Sequence, residues 1–192
     1  MAVEKVEALV IGAGQAGIAT SEHLRDQGVP HLVLERGRIA ERWRSARWDS
    51  LVANGPAWHD RFPNMEFRDL DPDGFAPKET VADYFVDYAG MIEAPVREGV
   101  EVTSVVRNPD GPGFRAETSD GAIEATYVVA ATGPFQTPVI PDVIPEDAGV
   151  TQLHSNDYEN PDRLPAGAVL VVGAGSSGTQ IADELSRADH QH

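Results

Sequence analysis

A chain of 192 residues with a net charge of −16 lacks the clustered Lys and Arg that nucleic-acid phosphates or an anionic membrane surface require, so neither is expected as a partner. It has no cysteine, which removes disulphides, thiolate metal sites and the C-x-x-C dithiol of disulphide reductases; no metal site is expected. No apolar run approaches the roughly 18 residues of a membrane span and no signal-type segment opens the chain, so the cytoplasm is the expected location.

Residues 6–11 form a near-continuous apolar run, the pattern of a buried parallel strand. The spacing predicts a helix over 14–27, stopped by Gly28-Val29-Pro30, and a second strand over 31–35. His23 and His31 read as a helix-surface and a strand-edge side chain. Residues 38–78 are irregular and rich in aromatics, Arg, Pro and Gly, a length uncommon in a compact domain unless the loop is functional. Thr80-Val81-Ala82-Asp83 fits a capping box, and Val81, Tyr84, Phe85, Tyr88 and Ile92 follow at helical spacing as a core stripe. Strands are expected over 100–107, 113–119 and 122–131, a β-meander with a turn at Asp120-Gly121. A Pro-studded linker then leads to a further strand over 168–172 and a helix over 176–187. The expected organisation is a first domain over 1–135, a linker over 136–165, and the first βα unit of a second domain over 166–192. The segment Ser186-Arg187-Ala188-Asp189-His190-Gln191-His192 carries no helix stop and is read as a truncation.

Two hexapeptides fit G-x-G-x-x-G between a strand and a helix: Gly12-Ala13-Gly14-Gln15-Ala16-Gly17 and Gly173-Ala174-Gly175-Ser176-Ser177-Gly178. In each, the first glycine allows a tight turn, the second lets backbone approach a pyrophosphate, and the third lets helix and strand pack closely. The helix N-terminus supplies positive dipole for the phosphates. Glu35 ends the next strand 21 residues after Gly14, where a carboxylate can accept hydrogen bonds from ribose hydroxyls. That leaves NAD and FAD both open, since each presents a ribose diol. Two dinucleotide sites in one chain suggest electron transfer between cofactors. The corresponding selector of the second site, for NADPH or NADH, would fall near or beyond His192.

Glu41-Arg42-Trp43-Arg44, the meander leading into Ala131-Thr132-Gly133, and the second fingerprint together resemble flavoproteins with two dinucleotide-binding domains. More narrowly, the chain is similar to the first half of class B flavin-dependent monooxygenases, the group of flavin-containing and Baeyer–Villiger monooxygenases. His154 and Tyr158 match the rear of the F-x-G-x-x-x-H-x-x-x-[FY] motif of the N-hydroxylating and flavin-containing branch. Ala148 and Val150 depart from its front, and Tyr158 stands where the Baeyer–Villiger branch has Trp.

The resemblance implies an α/β protein: a Rossmann-like FAD domain of parallel sheet plus meander, then the start of an NAD(P)-binding Rossmann domain. FAD would be held by Gly12, Gly14, Gln15, Ala16, Gly17, Glu35, Arg36, Arg42, Trp43, Val102, Ala131, Thr132 and Gly133. NADPH (or NADH) would be held by Gly173, Gly175, Ser176, Ser177 and Gly178. Arg36 also reads as a solvated or paired surface charge, as do Arg38, Arg44 and Arg47. Trp43, Trp48 and Trp58 either wall the flavin or pack the long loop. Asn54, ahead of Gly55-Pro56 and Phe62-Pro63, matches an asparagine near the reactive edge of the isoalloxazine. Its amide would serve there as donor and acceptor; on local chemistry alone it is equally a turn residue. His59 and Asp60 are adjacent in sequence, which does not bring their side chains together.

The implied activity is oxygenation of a small organic substrate with O₂ through a C4a-(hydro)peroxyflavin, driven by the nicotinamide nucleotide. The intact relative would be the enzyme, with this chain alone not self-sufficient and able to form a homodimer. Two rivals stand beside it: a flavin reductase passing electrons to a partner, and a non-catalytic FAD- or nucleotide-binding module.

Overall fold

The computed structural model describes residues 3–109, 111–134, 137–145 and 147–188; the expected domain boundary at 135–136 and the terminal Asp189-His190-Gln191-His192 lie outside them. Contacts divide the chain into two compact units, Met1–Ser45 with Val52–Gln136, and Ala46–Leu51 with Thr137–His192.

The first unit is built on one six-stranded sheet in the order β3-β2-β1-β6-β5-β4. Its strands are β1 (Glu4–Ile11), β2 (His31–Glu35), β3 (Val96–Glu98), β4 (Val102–Arg107), β5 (Phe114–Thr118) and β6 (Gly121–Ala130). β1, β2, β3 and β6 pair in parallel, while β4, β5 and β6 run antiparallel as the expected meander. The apolar run of β1 supplies residues to two cores. Val10 packs with Ala13 and Val33, and Leu9 with Leu32, Leu34, Ala116, Ile123 and Ala125. That two-sided burial explains why β1 shows no alternation.

Helix α1 (Gln15–Asp26) follows β1 directly, and the short α2 (Glu41–Ser45) lies in the long loop. Helix α3 (Lys78–Met91) begins two residues before the expected capping box. Its N-cap is Pro77, with no side-chain cap, so Thr80 lies inside the first turn. The aromatic stripe of α3 is core, as expected. Phe62 stacks on Tyr88 at 4.3 Å and Phe67 on Tyr84 at 4.1 Å between ring centroids. The Tyr84 hydroxyl accepts the Phe62 N–H (2.7 Å) and donates to the Met65 carbonyl (2.8 Å). Residues 52–77 are thus a loop laid on α3, held by ring faces and one hydroxyl.

The second unit centres on α4 (Ser176–Arg187), whose Ile181 and Leu185 are buried, as are Trp48, Leu51 and Tyr158. The Asp49 N–H donates to Glu159 O (2.8 Å), and Asn160 Nδ2 donates to Asp49 Oδ2 (2.7 Å). The strand expected over 168–172 does not form: no strand among the described residues pairs with it, and Leu170 is 80% exposed. An extended segment becomes a strand only when a neighbour takes up its N–H and C=O groups. No described helix is long and apolar enough to cross a membrane.

Candidate cofactor-binding sites

The three glycines of the first fingerprint are needed for three different reasons. Gly12 sits at φ +105°, and a Cβ there would come within 2.6 Å of the Ala131 carbonyl oxygen. That close approach follows from the sheet: Gly12 N–H donates to Leu34 O (2.8 Å) and Ala131 N–H to Ile11 O (2.8 Å). Gly17 faces back onto this turn, and a Cβ would overlap the Gly12 carbonyl. Gly14 meets nothing within 4 Å, so the space beside it is open to a ligand rather than filled by the fold. Helix α1 starts there with no side-chain cap and no acidic residue in its first turn, so its first amides meet no side-chain acceptor from the helix itself.

The Glu35 carboxylate is brought to this turn by its own backbone partners. Oε2 accepts the Ala13 N–H and Oε1 the Gly37 N–H, both at 2.9 Å. Two amide donors fix the carboxylate, and each oxygen retains a lone pair for a ribose hydroxyl. A 2′-phosphate beside it would meet like charge, so the donor set suits an adenine nucleotide with a free diol. The loop after Glu35 is strapped down as well. Ile39 N–H donates to Glu98 Oε1 (2.7 Å), Gly99 N–H to Gly37 O (3.1 Å) and Val100 N–H to Glu35 O (3.0 Å). Sequence reasoning missed Gly37, Glu98 and Val100, whose roles arise from β3 docking on β2.

Ala40 N–H donates to Ala13 O (3.1 Å), tying the start of α2 to the fingerprint. Ala40 adopts φ +59° while almost fully buried, a left-handed conformation costing an alanine about 1 kcal/mol, which locates strain at this turn. Two residues on, Arg42 has a buried Nη2 with no hydrogen-bond partner among the described residues. A guanidinium N–H left unpaired in a folded interior is suited to an anion. This orphan donor, the open space at Gly14 and the carboxylate at Glu35 are donors, space and acceptor of the kind that the pyrophosphate and ribose of an adenine dinucleotide require.

Of the other candidates, Thr132 is brought within 3.4 Å of the Gly12 Cβ position, and Ala131 packs beside Val10 and Val33. Gly133 adopts φ +78°. Val102 packs on the Leu9 and Leu34 core. Trp43 is half-buried, edge-on to Phe85 at 6.5 Å. Arg36, Gln15 and Ala16 are exposed. Arg38 pairs with Glu41, and Arg44 with Glu79 and Asp83 (2.8 Å each). Trp48 is buried in the second unit, whereas Trp58 is 55% exposed beside an open concavity lined by His59, Arg61, Phe62, Pro63 and Asn64. Asn54 is exposed and is not among those walls. His59 and Asp60 do meet, with Nδ1 to Oδ1 at 2.8 Å. His31, expected at a strand edge, bridges Ser21 Oγ (2.8 Å) and Val29 O (2.9 Å).

The second fingerprint repeats the local turn. Gly173 adopts φ +111°, a Cβ on Gly178 would overlap the Gly173 carbonyl, and Gly175 caps α4 with open space beside it. Ser176 and Ser177 open the helix, and Thr179 Oγ1 donates to Gly175 O (3.1 Å). In the matched H-x-x-x-Y segment, His154 Nδ1 accepts the Asn156 N–H (3.1 Å), and the buried Tyr158 hydroxyl donates to Glu184 Oε2 on α4 (2.8 Å). Burial, followed by this hydrogen bond to a carboxylate, pushes the Tyr158 hydroxyl well above its ordinary pKa.

The family profile described as pyridine nucleotide-disulphide oxidoreductase matches residues 9–191. An uncharacterized CzcO-like oxidoreductase of Geobacillus kaustophilus is 42% identical over 94% of this chain and 51% of its own length. The probable indole-3-pyruvate monooxygenase YUCCA1 of Arabidopsis thaliana is 31% identical over 93% of this chain and 44% of its own. A flavin-containing monooxygenase structure from Stenotrophomonas maltophilia superposes with TM-score 0.86 at 27% identity, covering 96% of this chain and 56% of that one. The expected α/β fold and the resemblance to flavin-dependent monooxygenases are both met by these relatives. The chain spans about half the length of the curated relatives it matches.

Proposed function

This chain belongs to the pyridine nucleotide-disulphide oxidoreductase family, and from that premise we propose that it forms the FAD-binding part of a flavin-dependent monooxygenase. The observation that carries this is the Glu35 carboxylate, held on the first fingerprint by the Ala13 and Gly37 amides. The unpartnered Arg42 donor supports it.

In this reading Glu35 accepts the ribose hydroxyls, Gly14 admits the pyrophosphate, and the first-turn amides of α1 with Arg42 offset its charge. Bound FAD supplies the redox chemistry, with O₂ as co-substrate and a small organic molecule as the group oxygenated. Asn54 offers a non-titrating donor and acceptor at the flavin's reactive edge. Gly173, Gly175, Ser176, Ser177 and Gly178 receive the nicotinamide nucleotide, NADPH in preference to NADH. The setting is cytoplasmic. The absence of cysteine from these 192 residues means that they contribute no thiol pair to a disulphide-reducing cycle.

The test is the visible absorbance of the purified chain before and after adding FAD. A flavin band that stays with the protein through gel filtration is the expected result. A chain that remains colourless after FAD and passes the dye through unbound overturns the reading.

A further inference from the structure

The segment carrying Asn54 is fixed at nearly every peptide around it. Ala53 N–H donates to Ala76 O (2.8 Å), Ala57 N–H to Gly74 O (2.8 Å) and Trp58 N–H to Pro72 O (3.0 Å). Between those anchors, Gly55 N–H donates to Asp60 Oδ2 at 2.7 Å. The carboxylate reaches that amide because Pro56 O accepts both the His59 and Asp60 N–H groups (2.8 and 3.0 Å), folding residues 56–60 back on themselves. It lies so close that a Cβ on Gly55 would overlap it, with Cγ at 2.7 Å. The other oxygen, Oδ1, takes His59 Nδ1 (2.8 Å); a carboxylate can only accept, so the ring donates. Asp60 is therefore held between two donors and clamps the peptide immediately after Asn54. Asn54 itself is exposed, and its side chain has no hydrogen-bond partner among the described residues. A turn residue serving only its own loop would use its amide on that loop. Here the carboxylate of Asp60 does that work, and the Asn54 amide has no partner among the described residues.

We infer that Asp60 is a positioning residue, fixing the Asn54 amide for a polar group of the bound flavin by clamping the Gly55 peptide. The inference rests on the functional reading above. A clamp of this kind improves the placement of one contact at the flavin, apart from the ribose and pyrophosphate contacts at Glu35, Gly14 and Arg42.

The experiment compares wild type with Asp60→Ala, Asp60→Asn, Asn54→Ala and the double variant Asn54→Ala/Asp60→Ala. Hydrogen exchange at Gly55 without FAD reads the clamp directly. Asp60→Ala is expected to speed it by at least about tenfold, and Asp60→Asn, whose amide oxygen can still accept, to restore most of the protection. The visible spectrum with FAD then reads the consequence. Asn54→Ala and Asp60→Ala are expected to change the flavin band in the same way, and the double variant no further than either. Unaltered Gly55 exchange in Asp60→Ala, or additive spectral changes in the double variant, overturns the inference. A changed band in Asn54→Ala alone does so too. If wild type takes up no FAD while Gly55 exchange behaves as expected, the functional reading has failed, and the role for Asn54 fails with it. Should Asp60→Ala not fold, a Gly55 amide that exchanges unprotected in the wild type is equally decisive against the clamp.

Discussion

The two glycine fingerprints share a hexapeptide pattern and a local geometry but not their surroundings. Gly12 and Gly173 adopt nearly the same φ, +105° and +111°, and Gly17 and Gly178 are each confined by the first glycine's carbonyl. Around Gly12 stand a parallel strand on either side of β1, the Leu34 carbonyl and the Glu35 carboxylate. The run before Gly173 pairs with no strand among the described residues, and Val169, Leu170 and Val172 are exposed. The turn is thus a property of six residues, whereas the site is a property of the sheet. A strand-to-helix turn with a helix dipole can face a phosphate by itself, but selection of the nucleotide needs a side chain delivered by a neighbouring strand.

The sharpest way to break the comparison is at equivalent positions three residues before each motif. Leu9 is fully buried and Leu170 is 80% exposed. Leu9→Ala should cost about 2–5 kcal/mol in chemical denaturation through the cavity it leaves. Leu170→Ala should stay within about 0.5 kcal/mol. A comparable loss at Leu170 would show that the second motif packs more tightly than its exposure indicates.

Gly17→Ala comes next. The added methyl must move the Gly12 carbonyl or α1 while confined by the sheet, an overpacking expected to cost about 1–3 kcal/mol. It should also displace the α1 N-terminus and abolish retention of the flavin band. Gly178→Ala meets the same local obstacle, but its strand run is unpaired, so melting of the first unit and FAD uptake should not change. Circular-dichroism melts with an FAD titration of both variants read the difference.

How far each region could be read beforehand follows the same division between local and delivered features. β1, α1, the meander and α4 announce themselves through period and turn residues inside one segment. β3 is three residues long and exists because Val96–Glu98 pairs with β2, which no local pattern states. α2, at five residues, is too short to show a helical period. The Thr80 box misplaced the start of α3 because Pro77, extended at φ −58° and ψ 153°, already sets the entry into the helix. At the site, Glu35 was legible from its spacing to Gly14. The Gly37, Glu98 and Asp60 contacts were not, since each joins a side chain to a backbone amide whose position depends on how the loop folds back.

Glu35→Gln sharpens the comparison at the delivered side chain. The amide keeps the shape but loses the charge and one acceptor, so FAD affinity should fall by about tenfold, roughly 1.4 kcal/mol. Stability without FAD should change less, since one oxygen can still accept the Ala13 or Gly37 N–H. Equal affinity in both proteins would mean that the ribose hydroxyls do not contact Glu35.

The smallest expected effect lies in the second unit, whose order depends on a single buried hydroxyl more than on a sheet. Tyr158→Phe removes the donor to Glu184 and should lower the protection of α4 amides by about 1 kcal/mol at neutral pH. Tyr88, with its hydroxyl on Glu22 at 2.6 Å, is the corresponding pair in the first unit. Burial and the neighbouring carboxylate raise both hydroxyls above the ordinary value of 10.0, so the folded state favours the neutral phenol. The stabilisation is therefore complete below pH about 10 and declines as pH rises above it, where the unfolded tyrosine ionises first. In hydrogen exchange across α4, wild-type protection should fall with increasing pH above about 10 toward the level of Tyr158→Phe, after correction for intrinsic exchange. Equal protection in the two proteins at neutral pH would show that Tyr158 holds α4 by ring packing, and that the hydroxyl adds nothing to it.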